Sequence, residues 1–325
     1  MTWRSTVRMP RRSLLALASS LLPFPAGAAY PERPVVLLHG FAPGGSADVL
    51  ARTMAGPLGS ALGQPVVVEA RPGAGGMIAA GGLARAPADG HTIGLMTGGH
   101  AVGAAFGRNL GFDPVGAFAW ISLVVEYAFV IAVRADHPAR DLRALLALAA
   151  APAGLAFGSA GAGSTHHLAG ELLSAMTGAP LTHVPYRGEA NAITALLGGD
   201  IPVAIATTAT AAPHLRAGRL RALGMTAAQR SASYPEIPAV AETVPGYVVT
   251  TWAGLAAPAA TPGPVLQALH QTLLGVAAQP ALRSRLAELV DGDARTSTPE
   301  ELRALVTGEI ARWRRLIEER RIQPE

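Results

Sequence analysis

The chain has 325 residues, no cysteine and a formal net charge of +4. The missing thiols exclude a disulfide framework, a cysteine nucleophile and lipid attachment through an N-terminal cysteine. Half of the residues are apolar, enough for real cores in two domains of ordinary size, and the positive charge is all arginine, with no cluster before the C-terminal helical stretch, so a nucleic-acid partner is not expected.

Residues 1–28 read as a secretory signal. Arg4, Arg8, Arg11 and Arg12 precede the apolar stretch Leu14 to Leu22, and Ala26-Gly27-Ala28 offers small residues for cleavage. The apolar stretch is too short to span a bilayer. Removal of those four arginines leaves arginine and acid in balance, and the mature chain is expected to be soluble.

From there, short apolar runs alternate with helical periodicity, which predicts an α/β fold with largely parallel strands. Val35–His39 is the first strand, followed by a loop at Gly40–Gly45 and a helix that Ser46 is placed to cap. Leu50, Met54, Leu58 and Leu62 share one face of that helix. A strand at Val66–Glu69 leads into Arg71-Pro72-Gly73-Ala74-Gly75-Gly76, and a strand at His91–Met96 into a loop at Thr97-Gly98-Gly99-His100. Further strands are expected at Trp120–Val125, Phe129–Val133 and Leu155–Ser159. The last of these runs into Gly161-Ala162-Gly163, after which Ser164 or Thr165 caps a helix. Leu181–Val184, Ile201–Thr207, Leu220–Met225 and Thr251–Ala257 complete the strands. The final helix opens on Thr298-Pro299-Glu300-Glu301, a capping box with proline at the first helical position, and carries the stripe Leu302, Val306, Ile310, Trp313 and Ile317.

Two segments share one design of strand, glycine-rich loop, hydroxyl and helix: Gly44-Gly45-Ser46 and Gly163-Ser164-Thr165. A helix start presents unpaired N–H groups and a partial positive charge, so it can hold a carboxylate without any basic side chain. Each loop alone is as well explained by a tight turn and a cap. Their occurrence in separate halves of the chain points to an anion held between facing helix ends, with Gly73, Ala74 and Thr97 along the same cleft.

Other chemistries fit less well. Leu38-His39-Gly40 after an apolar strand imitates the oxyanion loop of α/β-hydrolases and makes an esterase the best enzymatic alternative, but no G-x-S-x-G elbow accompanies it. A P-loop lacks its lysine, and the dinucleotide fingerprint fails because Ile78 stands where the third glycine belongs. His166 and His167 are adjacent and do not share a helix face, so a metal site is not expected. Neither a catalytic set nor a cofactor is assigned.

Tyr30-Pro31-Glu32-Arg33-Pro34, Phe41-Ala42-Pro43-Gly44-Gly45-Ser46-Ala47-Asp48, Arg71-Pro72-Gly73-Ala74-Gly75-Gly76, Gly163-Ser164-Thr165-His166-His167 and His183-Val184-Pro185-Tyr186-Arg187-Gly188, in this order, resemble the receptors of tripartite tricarboxylate transporters, the Bug receptors. The resemblance implies a non-enzymatic periplasmic receptor with a type II-like two-lobe binding-protein fold and a ligand cleft between lobes. Lobe 1 would comprise residues 29–126 and 252–325, and lobe 2 residues 127–251. It further implies a monomer that closes on a small organic carboxylate and delivers it to the membrane components of the transporter. Carried onto this chain, the ligand contacts would be Gly44, Gly45, Ser46, Asp48, Gly73, Ala74 and Thr97 on one side. Gly163, Ser164 and Thr165 would face them, with Tyr186 as an aromatic wall and Arg187 as a cationic contact. His39 and Ala70 depart from the family pattern at the border of the expected cleft.

Overall fold

The computed structural model describes Met1 and residues 30–107 and 109–322. The expected signal segment therefore lies outside the described residues. Chain order begins β1 (Val35–His39), α1 (Ser46–Leu62), β2 (Val66–Ala70), α2 (Met77–Ala84), β3 (Thr92–Thr97), α3 (Gly98–Ala105) and β4 (Phe118–Ala128). It continues with β5 (Val130–Arg134), α4 (Leu142–Ala149), β6 (Leu155–Ser159), α5 (Thr165–Thr177), β7 (Leu181–Pro185), α6 (Glu189–Gly198), β8 (Val203–Ala206), α7 (Thr208–Arg216) and β9 (Leu220–Met225). β10 (Thr250–Pro258), α8 (Gly263–Ala277), α9 (Pro280–Val290) and α10 (Pro299–Arg320) end it.

The strands form two five-stranded sheets, ordered β2-β1-β3-β10-β4 and β7-β6-β8-β5-β9. Each sheet is built on a parallel core: β1 pairs with β2 and β3, and β6 with β7 and β8. The expectation of largely parallel strands needs correction beyond those cores. β10 runs antiparallel to both β3 and β4, and β5 antiparallel to both β8 and β9. The reason lies in the return paths. The chain leaves the first sheet through β4, enters the second directly at β5, and comes back through β10, so these strands meet their neighbours head to tail. Both are buried on both faces and read as continuous apolar runs, which carry no direction.

α1 buries Leu50, Met54 and Leu58 on the expected face, beside Ala47 and Ala51, and stops at Gly63 in the left-handed region. α10 carries the expected capping box, with Thr298 Oγ1 accepting from Glu301 N and Glu301 Oε2 accepting from Thr298 N. Its stripe Leu302, Val306, Ile310 and Trp313 packs against α3 and β4, while Arg312, Arg314 and Arg315 lie in solvent. Two local expectations change. Gly45, not Ser46, is the N-cap of α1, and it has no side chain with which to cap. Thr97-Gly98-Gly99-His100 is not a loop, because α3 begins at Gly98 directly after β3. No helix of the described residues is long and apolar enough to cross a membrane.

Candidate functional site

The carboxyl ends of the parallel strands of both sheets face one another, and the turns that follow β1 and β6 meet there. After β1, Asp48 braces the turn from the first turn of α1. Its carboxylate accepts from Gly44 N at 3.0 Å and Arg52 Nε at 2.9 Å, and lies 3.2 Å from His39 Nε2. Burial pushes this carboxyl up, but the hydrogen bonds from Arg52 and Gly44 outweigh it and hold it below the usual range. Asp48 thus shapes the loop from behind. His39 is spent on the same network, inside the fold, instead of on an oxyanion loop.

After β6, Ser164 is the N-cap of α5. Its Oγ accepts from His167 N at 3.2 Å and donates to Gly161 O at 2.6 Å. The two helix starts border a small, partly open cavity with about 20 Å³ of room for the centres of water-sized molecules. Phe41, Gly45, Ser46 and Thr97 line it from the first sheet, and Ala160, Thr165, His166 and Glu189 from the second. Tyr127, at the end of β4, and Thr251, at the start of β10, close its back. Thr251 Oγ1 lies 3.4 Å from Thr165 Oγ1. The lining is hydroxyls, backbone, rings and the Glu189 carboxylate, and it contains no arginine.

Glu189 dominates the electrostatics of this cavity. It is the first residue of α6, is only 2% exposed, and accepts four hydrogen bonds. Oε1 receives Ser46 N at 2.6 Å and Thr207 Oγ1 at 3.0 Å. Oε2 receives Thr207 N at 2.8 Å and His166 Nε2 at 3.1 Å. Burial raises its carboxyl, yet the bonds from His166, Thr207 and Ser46 prevail and bring it down to about 2. An ionised carboxylate only accepts, so His166 Nε2 must carry the hydrogen. His166 Nδ1 is buried and has no partner among the described residues. Burial, reinforced by the Glu189 charge, pushes the Tyr127 phenol upward.

The two halves touch around this cavity. Ala42 N donates to Arg187 O at 3.2 Å, and the Ser46–Glu189 bond runs in parallel with it. At Gly75, with φ at 63°, a Cβ would stand 2.6 Å from Gly163 O of the opposite half. At Gly188, with φ at 128°, it would stand 3.1 Å from Ala42 Cβ. Both positions need glycine for the left-handed backbone and for the close approach.

Of the residues singled out from sequence, Gly45, Ser46, Thr97 and Thr165 line the cavity, and Gly44 and Ser164 sit one position behind in the same turns. Gly73 and Ala74 do not reach the lining. Ala74 is exposed, and it is the next residue, Gly75, that is buried against Gly163. Tyr186 packs on the core of the second sheet, and Arg187 is exposed, contributing its carbonyl to the contact with Ala42. Sequence reasoning missed Glu189 and Tyr127. An acid after glycine at a helix start reads as a helix-dipole residue, and nothing local signals that it crosses to another helix. Ser159 Oγ and His183 Nε2 are 2.5 Å apart, a spacing suited to a nucleophile and its base, but Ser159 is wholly buried and accepts from Gly161 N. Among the described residues no group of three or more histidine, aspartate or glutamate side chains converges as a metal site.

Comparison with known proteins places this geometry. The family model described as tripartite tricarboxylate transporter family receptor matches residues 50–322. The UPF0065 protein in the tcbD-tcbE intergenic region of Pseudomonas sp. (strain P51) is 36% identical over 297 residues, 90% of this chain and 88% of its own length. The periplasmic binding protein BugD superposes with a TM-score of 0.87 at 31% identity, over 91% of this chain and 100% of its own. R. palustris Rpa4515 with adipate gives 0.86 at 32% identity, over 91% and 100%.

Proposed function

Because the chain belongs to the tripartite tricarboxylate transporter receptor family and is a solute-binding receptor of the periplasmic binding-protein fold, we propose that it captures a small organic carboxylate by closure of two lobes and presents it to a transporter of that type. The lobes of this reading are residues 29–126 with 252–325, and 127–251. Its site is Gly45, Ser46, Thr97 and Thr165, with Gly44 and Ser164 shaping the turns. The chain acts as a monomer, reaching the periplasm through its N-terminal signal.

One observation carries the reading: two glycine-flanked helix starts border one cavity with hydroxyls and amides in its wall. Amide dipoles at a helix start hold a carboxylate without a cation, and exclusion of water strengthens each such bond. Adipate, the ligand of one structural relative, belongs to the same chemical class. Capture then couples to closure, because a ligand touching both helix starts favours the state in which they approach.

Thermal-shift screening of the protein from Tyr30 onward against a panel of organic acids tests this. At least one acid is expected to raise the melting temperature with concentration, as mass action requires. Gly45→Val, whose side chain would press on Glu189 Cγ and Ala42 O, and Ser164→Pro, which removes the N–H that bonds Gly161 O, are expected to abolish the shift while the unliganded proteins stay folded. Normal binding by both variants would place the site elsewhere.

A further inference from the structure

The position that a ligand carboxylate would take at the start of α1 already holds a carboxylate of the protein. Ser46 N points at Glu189 Oε1, 2.6 Å away, and Glu189 comes from the opposite half of the molecule. The other helix start is different: Ser164 caps His167 N from within α5, and Thr165 and His166 line the cavity ahead of that cap. One end of the cleft is therefore neutralised from inside, and the other is open to an anion.

A second observation shows what the neutralised end lacks. His166 is 8% exposed, lines the cavity and spends Nε2–H on Glu189, so in the neutral ring Nδ1 is a lone-pair acceptor. It has no partner among the described residues. A buried acceptor beside a buried carboxylate calls for a donor. A second ligand carboxylate there would add like charge next to Glu189 in a lining without arginine.

We propose that Glu189 is a specificity-determining residue: together with His166 Nδ1 it selects a monocarboxylate whose other end is an N–H donor, an amine or amide, over a dicarboxylate. The ligand carboxylate lies at the start of α5 and the donor end lies against Glu189 and His166. This rests on the carboxylate-receptor reading above and deepens it. It also sets this receptor apart from the relative that holds adipate, an acid at both ends.

The test is titration calorimetry on three matched series of three to six carbons: unbranched dicarboxylates, ω-amino acids and ω-carboxamido acids. In the wild type the tightest amino or amido acid is expected to bind at least about ten-fold more tightly than the dicarboxylate of equal length. Glu189→Gln, which removes the charge and retains the shape, is expected to erase or invert that ratio. Glu189→Ser serves as a second variant should the glutamine protein fail to fold. If the wild type prefers dicarboxylates, Glu189 is displaced by ligand and the inference falls, with the receptor reading intact. An unchanged ratio in a folded variant also overturns it. Heat from none of the three series overturns the carboxylate-receptor reading itself, and this inference with it.

Discussion

The two glycine-rich turns look alike as sequence and differ as structure. At the start of α5 the cap is local: Ser164 accepts from His167 N three residues ahead. At the start of α1 the N-cap is Gly45, which has no capping group, and the first helical amide is satisfied by Glu189, 143 residues away in the chain. A helix start that caps itself is indifferent to whether the two halves meet. A helix start capped from across a cleft is complete only when they do. In the proposed closure the start of α5 would be a fixed receiver and the start of α1 the element that depends on the other half, although both carry the same glycine-hydroxyl signature.

The largest effect is expected from disrupting the meeting itself. Gly75→Ala places a Cβ about 2.6 Å from Gly163 O, backbone against backbone, so the halves must part. Binding of any acid that stabilises the wild type is expected to weaken by about a hundred-fold or more. The radius of gyration in solution scattering should rise toward an open form. Gly178→Ala is the control, since φ there is 69° and a Cβ would meet nothing within 4 Å. It shares the left-handed strain without touching the cleft. Equal losses in both variants would show that strain, and not contact between the halves, is responsible.

Acid comes next, and it too separates the fold from the cleft. Burial drives His100 and His183 down to about 4, so both rings stay neutral in the folded protein where an unfolded histidine with its ordinary value of 6.5 would bind a proton. The unfolded chain then holds more protons, and stability falls as pH drops from 6.5 and levels off below about 4. Each ring is expected to cost up to roughly 2 to 3 kcal/mol over that window. Glu189 has the same sense of proton preference, the unfolded chain again holding more protons, in a lower window. Its carboxyl is held near 2 against an ordinary 4.5, so what it contributes is fully present above 4.5 and is lost as pH falls toward 2. Denaturant melts at pH 7, 5 and 4 report the histidines. Scattering between pH 4.5 and 3 in Glu189→Gln and wild type reports the bond between Glu189 and the start of α1. Stability that is flat between pH 7 and 4 would remove the histidine account.

The comparison also marks where sequence stopped being informative. The strand, turn and helix that lead into each site segment were legible because their signals are local: glycine after an apolar run, a hydroxyl cap, a 3.6-residue stripe. Ser164 and Thr298 behave as their neighbours suggest, and the order of motifs along the chain led to the family. The antiparallel β5 and β10 were not legible, since a doubly buried strand looks the same in either direction. Neither was the helix at Gly98–Ala105, where glycine propensity argues against a helix and burial of every residue argues more strongly for one. Glu189 escaped for a different reason. Its first partner by sequence is the dipole of its own helix, whereas its partners in space come from α1, α5 and the turn before α7. Long-range polar contacts are chosen by topology, and a single sequence does not show that choice.

The smallest effects come from exchanging the two modes of capping. Ser164→Ala deletes the local cap and should cost about 1 kcal/mol, the usual value for such a loss. The loss belongs to α5 and should be equal in open and closed forms, so affinity changes little beyond the stability term. Gly45→Ser is the converse. Gly45 has φ of −82°, and a Cβ there meets Ala42 O and Glu189 Cγ at 3.6 Å, an ordinary contact, so serine fits the backbone and supplies the hydroxyl that α1 lacks. It should stabilise the ligand-free protein by a few tenths of a kcal/mol. The new hydroxyl would accept from Asp48 N, as Ser164 accepts from His167 N, and leave Ser46 N to Glu189. Local capping and the bond across the cleft are therefore expected to be independent. Hydrogen exchange follows this directly: slower exchange at Asp48 N in Gly45→Ser, with Ser46 N and Thr207 N unchanged, is the expected pattern. Faster exchange at Ser46 N would mean that the local cap draws α1 away from the carboxylate of the far half.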